Sequence, residues 1–369
     1  MKRGLAMSSR GAKSQKVATV SLFSGAGGLD LGFEATGFFE TVIALDSDPD
    51  CVRTMEMNRG LQFQNAEGFL QNATISGITV EEWLSDASPP KRPWVLIGGP
   101  PCQPFSAMGR KENLKDSRSS GVFDFLQAVE RLRPTAFVLE NVPRLAVNQG
   151  GRIRKRIESA VRQSGYSYSE CVLNAADFGA FTRRKRFFVF GAADENGRID
   201  PPLPSFMQPT LDQPLLSGLL PPWRGCREAL ADLENAPSGC LPDHAVLSHT
   251  AEVTRRFRSL KPGQYDHVRK RAKLHPDRPC PSMIAGGKSG FAHHIHYVSR
   301  ELTSRECARL QGFPDKFRFA GSPLMVAKQI VNAVPVPLAT AVASAVAEYL
   351  HRVRKGADMK RTIREVRQR

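Results

Sequence analysis

The sequence predicts an α/β protein with a doubly wound, mostly parallel sheet. Short apolar runs at residues 17–23, 41–45 and 94–97 alternate with amphipathic segments, as in repeated βαβ units. A glycine-rich turn at residues 24–28 separates the first run from its helix, and Asp46 closes the second run. Strand, glycine turn, helix, strand and acid is the order of a nucleotide-binding half of such a sheet.

The first half of the chain supplies one such unit in full. Residues 17–23 are apolar and β-branched and predict the first strand, and residues 29–38 predict an amphipathic helix. Residues 49–58 predict a second helix. A proline stands in its first turn, and Cys51 and Met55 share one of its faces.

The same alternation recurs further along the chain. Residues 94–97 predict a buried strand, residues 123–132 a helix, and residues 136–139 a strand that ends at Glu140. An apolar run at residues 187–190 predicts one more strand. In open parallel sheets ligands gather beyond the carboxyl ends of the strands, so we expect the functional residues there.

The chain changes character after the last of these strands. Residues 201–222 are rich in proline, which indicates an insertion or a linker, and residues 255–278 are strongly basic. Residues 303–310 predict a helix that begins with a capping box. Residues 337–352 predict a final alanine-rich helix, and we expect the charged tail at residues 355–369 to be frayed.

Charge and cysteine content narrow the class of protein. The 369 residues carry a formal net charge of +16, which predicts a polyanionic partner but does not separate DNA from RNA or an anionic membrane. The seven cysteines are scattered without a zinc or disulfide spacing, which fits a reducing compartment. No secretory signal and no membrane span is recognisable, so we expect a soluble intracellular protein.

The sharpest segment is the sequence GGPPCQPFS at residues 98–106. A lone cysteine is most often a buried apolar residue, but Cys102 stands among prolines and glycines beyond a strand end, where rigid loops present side chains to ligands. An attacking cysteine needs positive charge or a base nearby to become a thiolate. Arg184 and Arg186 are candidates for that positive charge.

Two acidic residues and the glycine turn complete the candidate site. The turn lacks a full G-x-G-x-x-G because Asp30 stands at the last position, which favours a nucleoside cofactor without a pyrophosphate over a dinucleotide. Asp46 lies at the spacing that places a carboxylate over ribose hydroxyls. Glu140 is either an ordinary solvated glutamate or, beside a nucleophile, a group that holds a proton.

In this order the segments resemble the cytosine carbon-5 DNA methyltransferase family of the bacterial restriction–modification type, from residue 17 to residue 350. The proline–cysteine–glutamine and glutamate–asparagine–valine pieces at this spacing, joined by the sequence RLQGFP, are highly specific to it. The matching pieces are residues 23–28, Asp46, residues 101–103, residues 140–142, Arg184, Arg186, residues 302–314 and residues 329–337.

The resemblance implies transfer of a methyl group from S-adenosyl-L-methionine to carbon 5 of a flipped cytosine, with S-adenosyl-L-homocysteine as product. It makes Cys102 the covalent nucleophile and Glu140 the proton partner. Arg184 and Arg186 would hold the target base and its neighbouring phosphate, and Asp46 would bind the cofactor ribose. The further cofactor residues that it implies are Phe23, Ser24, Gly25, Ala26, Gly27, Pro100, Asn332 and Val334.

The resemblance also implies a fold of the S-adenosylmethionine-dependent, Rossmann-like methyltransferase type with a smaller target-recognition domain. The predicted parts are a basic lead at residues 1–16, a catalytic domain at residues 17–191 plus 298–352, a recognition domain at residues 192–297 and a basic tail at residues 353–369. The proline-rich and basic stretch noted above falls within the recognition domain.

The sequence departs from the family pattern at three places. Thr182 stands where a glutamine is usual, so its hydrogen bond would be shorter or lost. Val331 stands where a glycine is usual, which puts a backbone contact to the cofactor in doubt. Residues 72–75, where the family has an acid that contacts the adenine, contain none.

Two alternatives remain at the level of sequence. One is a tRNA cytosine-5 methyltransferase of the same fold, but the large variable region before the RLQGFP segment favours DNA. The other is a non-catalytic DNA-binding protein on a methyltransferase scaffold, but a protein that only binds DNA does not need Cys102 and Glu140. We expect a monomer that acts on double-stranded DNA in a prokaryotic cytoplasm. It would be associated with the nucleoid through that DNA and not with a membrane, and a restriction endonuclease would be its functional partner. The sequence reveals neither the target site nor whether that endonuclease exists.

Overall fold

The computed structural model describes residues 16–61, 63, 68–71, 93–101, 121–194, 197–208, 219–268, 271–285, 291–292 and 294–367. The central sheet consists of β1 (Val17–Leu22), β2 (Phe39–Asp46), β3 (Gly68–Gln71), β4 (Trp94–Gly98), β5 (Ala136–Asn141), β6 (Ser167–Asn174) and β8 (Lys185–Ala192). The shorter strands are β7 (Thr182–Arg183), β9 (Tyr265–Asp266), β10 (Arg271–Ala272), β11 (Cys280–Pro281), β12 (Ile284–Ala285) and β13 (Phe291–Ala292).

The strands of the central sheet follow the order β3-β2-β1-β4-β5-β8-β6. The five strands from β3 to β5 are parallel, whereas β8 runs antiparallel to both β5 and β6. The predicted doubly wound, mostly parallel sheet is therefore confirmed. Sequence analysis missed β6, because its residues SYSECVLN mix polar and apolar types on a half-buried edge strand.

The helices in the described residues have the following bounds: α1 (Gly28–Ala35), α2 (Pro49–Met57), α3 (Gly121–Leu132), α4 (Arg144–Val147), α5 (Arg152–Gln163), α6 (Cys226–Leu230), α7 (Ala251–Ser259), α8 (Ser304–Leu310), α9 (Pro323–Asn332) and α10 (Val336–Arg367). The predicted capping box is present at α8, where the Thr303 hydroxyl accepts from the Glu306 amide and the Glu306 carboxylate accepts from the Thr303 amide.

Helices cover both faces of the sheet, and each face buries its own apolar cluster. Successive residues of a strand point to opposite faces. Accordingly Phe188 belongs to the cluster under α1 and α10, and Phe187 to the cluster under α3 and α5. A third cluster joins α6, α8 and α9, so the part of the chain after β8 packs on the C-terminal segments. This packing holds the C-terminal segments beside the carboxyl edge of the sheet.

The last helix is longer than the sequence analysis predicted. Its backbone is helical from Val336 to Arg367, so the prediction that residues 355–369 are frayed is wrong for the described part of that tail. The extension contains no proline and a single glycine, Gly356, so the existing helix continues through it at a cost of about 1 kcal/mol at that position. The stretch Pro323–Lys355 is apolar and long enough to cross a bilayer, but most of it is buried in the protein, as in a core helix.

Gly32 allows α1 and α10 to approach each other closely. A Cβ atom at this position would lie 2.2 Å from the Cβ of Ala339 and 2.6 Å from the Ala339 carbonyl carbon. We therefore expect Gly32→Ala to lower the free energy of unfolding by about 1–3 kcal/mol through overpacking. Urea denaturation measures the change. Ala35→Leu, which adds more atoms on the exposed face of the same helix, is the control, and an equal loss in both variants would contradict the explanation.

Candidate active site

The glycine turn lies directly beyond β1 and is fixed to the end of β2. The Ser24 amide donates to the Leu45 carbonyl at 3.0 Å, and the Leu45 amide donates to the Ser24 hydroxyl at 3.1 Å. Phe23, Gly25 and Gly27 all have positive φ, at 55°, 57° and 77°. Glycine adopts such angles without strain, so the tight turn is possible because glycine stands at two of the three positions.

Asp46 faces this turn from the end of β2, as its spacing predicted. Its Oδ2 accepts from the Gly25 amide at 2.7 Å, and its Oδ1 accepts from the Asp48 amide at 2.9 Å. Burial raises the pKa of Asp46, and these two backbone donors oppose the rise. Each carboxylate oxygen can accept a second hydrogen bond, so the group is oriented and still able to bind a hydroxyl.

The space around the turn differs on its two sides. A Cβ at Gly25 would have no heavy atom of the described residues within 4 Å, whereas one at Gly27 would lie 2.7 Å from the Phe63 ring. A Cβ at Gly28 would lie 2.7 Å from the Val334 carbonyl oxygen. Among the residues that the structure describes, Phe63 and Val334 therefore close the turn at Gly27 and Gly28, and the turn is open at Gly25. An open backbone face beside an oriented carboxylate suits a nucleoside ligand.

The segment that leads to Cys102 lies at the same edge of the sheet. The Asn141 side-chain amide donates to the Pro100 carbonyl at 2.9 Å, which holds this segment to the end of β5. A Cβ on Gly121 would lie 3.1–3.2 Å from Pro101, Phe23 and Pro100, so these residues are packed together. Cys102 itself lies outside the described residues and directly follows Pro101.

Glu140 is not a solvated surface residue. It is 7% exposed, and its Oε1 lies 2.7 Å from the Nε of Arg186, which is 8% exposed. A Cβ on Gly99 would lie 2.7 Å from Glu140 Oε2, so the carboxyl group lies over the segment that ends at Pro101. Burial raises the pKa of Glu140, and the attraction of Arg186 opposes the rise. Of the two possibilities for Glu140, the structure supports a group whose proton affinity is increased.

Arg184 lies apart from this pair. Its guanidinium is buried and donates to the carbonyl of Val331 at the end of α9. Arg186, by contrast, pairs with Glu140, so the two arginines of the basic run have different partners. The Val331 carbonyl thus binds the protein's own arginine. Its neighbour Asn332 is exposed at the end of α9.

Thr182, where the family has glutamine, contacts the region after β8. Its hydroxyl donates to the Cys280 carbonyl at 3.2 Å, and β7 and β11 pair in parallel. The shorter side chain therefore makes a hydrogen bond towards the predicted recognition domain.

Two residues under the glycine turn, Ser21 and Asp30, were not predicted as site residues from the sequence. Asp30 had served only to show that the turn lacks the last glycine of a dinucleotide-binding motif. Both are fully buried, and the Ser21 hydroxyl donates to Asp30 Oδ2 at 3.1 Å. An acid between leucines at the start of an apolar helix was the available signal, since acids are almost never fully buried without a partner.

A parallel sheet with a glycine turn beyond its first strand and an acid at the end of its second has the α/β fold of S-adenosylmethionine-dependent methyltransferases. Residues 17–348 match the model of the C-5 cytosine-specific DNA methylase family, and the chain belongs to this family. It is thus a DNA cytosine-5 methyltransferase. Enzymes of this family use S-adenosylmethionine as the methyl donor.

Similar proteins agree with this assignment. The type II methyltransferase M1.HphI of Haemophilus parahaemolyticus is 32% identical over 347 residues, which cover 89% of this chain and 86% of that protein. M.MthTI of Methanothermobacter thermautotrophicus is 31% identical over 344 residues, which cover 90% and 98%. The structure of a DNA modification methyltransferase encoded within an E. coli prophage has a TM-score of 0.70 and 27% identity, covering 91% of this chain and 100% of that one. These matches favour the DNA interpretation over the tRNA alternative.

Proposed function

We propose that this enzyme methylates a cytosine flipped out of a specific duplex site, through a covalent bond between Cys102 and carbon 6 of the base. The observation that carries the proposal is the buried pair of Glu140 and Arg186 at 2.7 Å, over the segment that leads to Cys102. Burial raises the pKa of the Glu140 carboxyl group although Arg186 opposes the rise, so Glu140 binds its proton more tightly than a solvated glutamate, as a proton donor to the base requires.

The residues around the glycine turn fit the methyl donor. S-Adenosylmethionine supplies an electrophilic methyl group when bound and leaves as S-adenosylhomocysteine. The open backbone at Gly25 would accept its amino-acid part, and Asp46 would bind the ribose hydroxyls. The remaining residues of the proposed cofactor site are Phe23, Ser24, Ala26, Gly27, Pro100, Asn332 and Val334.

The side chains then divide the chemistry. Carbon 5 of cytosine is too weak a nucleophile to accept a methyl group unaided. The Cys102 thiolate forms a bond to carbon 6 while Glu140 gives its proton to ring nitrogen 3. The carbon 5–carbon 6 π electrons move into the carbon 4–carbon 5 bond, and the carbon 4–nitrogen 3 π electrons move onto nitrogen 3, which gives an enamine. Carbon 5 takes the methyl group with the electron pair of this enamine. Loss of the carbon 5 proton to a base then restores the carbon 5–carbon 6 double bond, the thiolate leaves with the carbon–sulfur electron pair, and nitrogen 3 returns its proton to the Glu140 carboxylate. Arg186 holds the Glu140 carboxylate in place throughout.

The substrate side of the proposal rests on charge and packing. The net charge of +16 favours phosphate contacts, which offset the few kcal/mol needed to flip a base. We assign catalysis to residues 17–191 plus 298–352 and target recognition to residues 192–297. The pairing of β7 with β11 joins the two proposed parts just before the strand that carries Arg186, so the proposed recognition domain is attached beside the proposed catalytic residues.

The names of the relatives support a proposal for the cellular role. M1.HphI and M.MthTI are named type II methyltransferases. By analogy we assign this chain to a restriction–modification system, as a cytoplasmic monomer whose functional partner is an endonuclease that cuts the unmethylated site.

The proposal is tested in two stages with the purified protein. Bisulfite sequencing of plasmid DNA treated with protein and S-adenosylmethionine first identifies the methylated site. A duplex with 5-fluorocytosine at that site is then incubated with protein and cofactor, and a complex that survives denaturing electrophoresis is expected, because fluorine cannot leave as the proton does. If the protein methylates tRNA in the same assay but leaves duplex DNA unmethylated, the DNA assignment is overturned. Methylated duplex without a trapped complex would overturn the covalent mechanism.

A further inference from the structure

A chain of hydrogen bonds runs beneath the glycine turn and ends at a buried carboxyl group. The Leu45 amide donates to the Ser24 hydroxyl at 3.1 Å, and the Ser24 hydroxyl lies 2.8 Å from that of Ser21. The Ser21 hydroxyl in turn donates to Asp30 Oδ2 at 3.1 Å. The chain thus connects β2, the turn, β1 and the first turn of α1.

An ionised Asp30 sets the direction of the Ser21 hydroxyl. A carboxylate only accepts, and a hydroxyl has one hydrogen to donate, so the Ser21 hydrogen goes to Asp30 and the Ser21 oxygen is free to accept. At 2.8 Å this oxygen is the nearest acceptor for the Ser24 hydroxyl, ahead of the Ser21 and Leu45 carbonyl oxygens at 3.2 Å. The Ser24 oxygen accepts from the Leu45 amide. With its own amide bonded to the Leu45 carbonyl at 3.0 Å, Ser24 is held on both sides.

Asp30 occupies an unfavourable place for an acid. Its neighbours Leu29, Leu31 and Phe33 are buried, and Asp30 is itself 0% exposed. Burial raises its pKa to about 7, with Glu34 adding to the rise and Ser21 and Thr41 opposing it. A buried carboxyl group of this kind reduces stability when it is ionised. Packing alone gives no reason for it, since an apolar residue would fill the place better.

We infer that Asp30 is a positioning residue for the cofactor site, which acts through Ser21 and Ser24 to hold the glycine turn in its binding conformation. Gly25, whose amide contacts Asp46 and whose open face is proposed to meet the cofactor, follows Ser24 directly. A change in the position of Ser24 therefore moves both the Gly25 amide that contacts Asp46 and the open face of Gly25. The inference rests on the proposed cofactor site and adds two residues to it that do not touch the ligand.

The test compares two buried serine hydroxyl groups on different strands of the central sheet. Ser21→Ala removes the middle of the chain, whereas Ser169→Ala removes a hydroxyl on β6 that donates to the Ile199 carbonyl at 2.6 Å. Binding of S-adenosylhomocysteine is measured by titration calorimetry. We expect Ser21→Ala to weaken it by about tenfold, the equivalent of one lost buried hydrogen bond, and Ser169→Ala to leave it unchanged.

Two substitutions of Asp30 provide a second arm. The carbonyl oxygen of Asp30→Asn can still accept from Ser21, so this variant should retain affinity close to wild type, whereas Asp30→Leu should lose it. Equal affinities in Ser21→Ala and Ser169→Ala, or weak binding by Asp30→Asn, would overturn the positioning role. Wild-type protein that binds no S-adenosylhomocysteine would overturn the proposed cofactor site itself, which is a different failure.

Discussion

Cys102→Ala is expected to abolish methyl transfer, by about 10⁴-fold or more, while the protein still binds duplex DNA. The reason is chemical, because without a thiolate carbon 5 never becomes nucleophilic and no other step replaces that activation. The phosphate contacts that dominate DNA affinity do not involve this side chain. Radiolabelled methyl incorporation and fluorescence anisotropy of the identified duplex measure the two effects separately.

Cys240→Ala is the matched control, because Cys240 is an exposed cysteine far along the chain in the proposed recognition domain. It should methylate at the wild-type rate and still be trapped by 5-fluorocytosine DNA. Methylation by Cys102→Ala within tenfold of wild type would refute the covalent mechanism. Loss of DNA binding in the same variant would instead mean that the change disturbs the fold.

Four of the five parallel strands could be predicted from the sequence because their signals are local, whereas β3 (Gly68–Gln71) was not predicted. An apolar run, a glycine turn and a closing acid each lie within a few residues, and the structure confirms β1, β2, β4 and β5 with their carboxyl ends at one edge. The antiparallel pairing of β8 with β5 and β6 depends on contacts between distant segments, which no local pattern specifies. The predicted end of the last helix was wrong because the helix continues past residue 352 and through Gly356, although glycine often marks the end of a helix.

Most residues of the proposed site could be selected from the sequence, but their pairing could not. Glu140 and Arg186 were both selected from the sequence, yet four basic residues stand side by side at residues 183–186. The position at which β8 begins determines the partners of the two arginines: Arg186, within the strand, pairs with Glu140, and Arg184, just before it, donates to the Val331 carbonyl. Asp30 was missed because its partner Ser21 lies on another element, so the hydrogen bond exists only once the strand and the helix pack.

Glu140→Gln is expected to lower the rate of methyl transfer by about 10²- to 10⁴-fold, with DNA affinity changed only a few-fold. Glutamine is close in shape to glutamate and its carbonyl can still accept from Arg186, so the fold and the hydrogen-bond geometry with Arg186 are largely kept. Its neutral amide, however, has no acidic proton to give to the base. Single-turnover methylation and anisotropy measure the two quantities. Equal losses in rate and in affinity would make Glu140 a binding residue only.

The pH dependence of the same variant gives an independent test. Burial raises the pKa of Glu140, so the protonated form that donates is present below that raised pKa and is lost as the pH increases through it. The wild-type single-turnover rate should therefore fall on the alkaline side, and this limb should be absent in Glu140→Gln. Glu170→Gln is the control. It removes a carboxylate on β6 that pairs with Arg154, and it should keep the wild-type pH profile. A wild-type limb that persists in Glu140→Gln would assign the titrating group elsewhere.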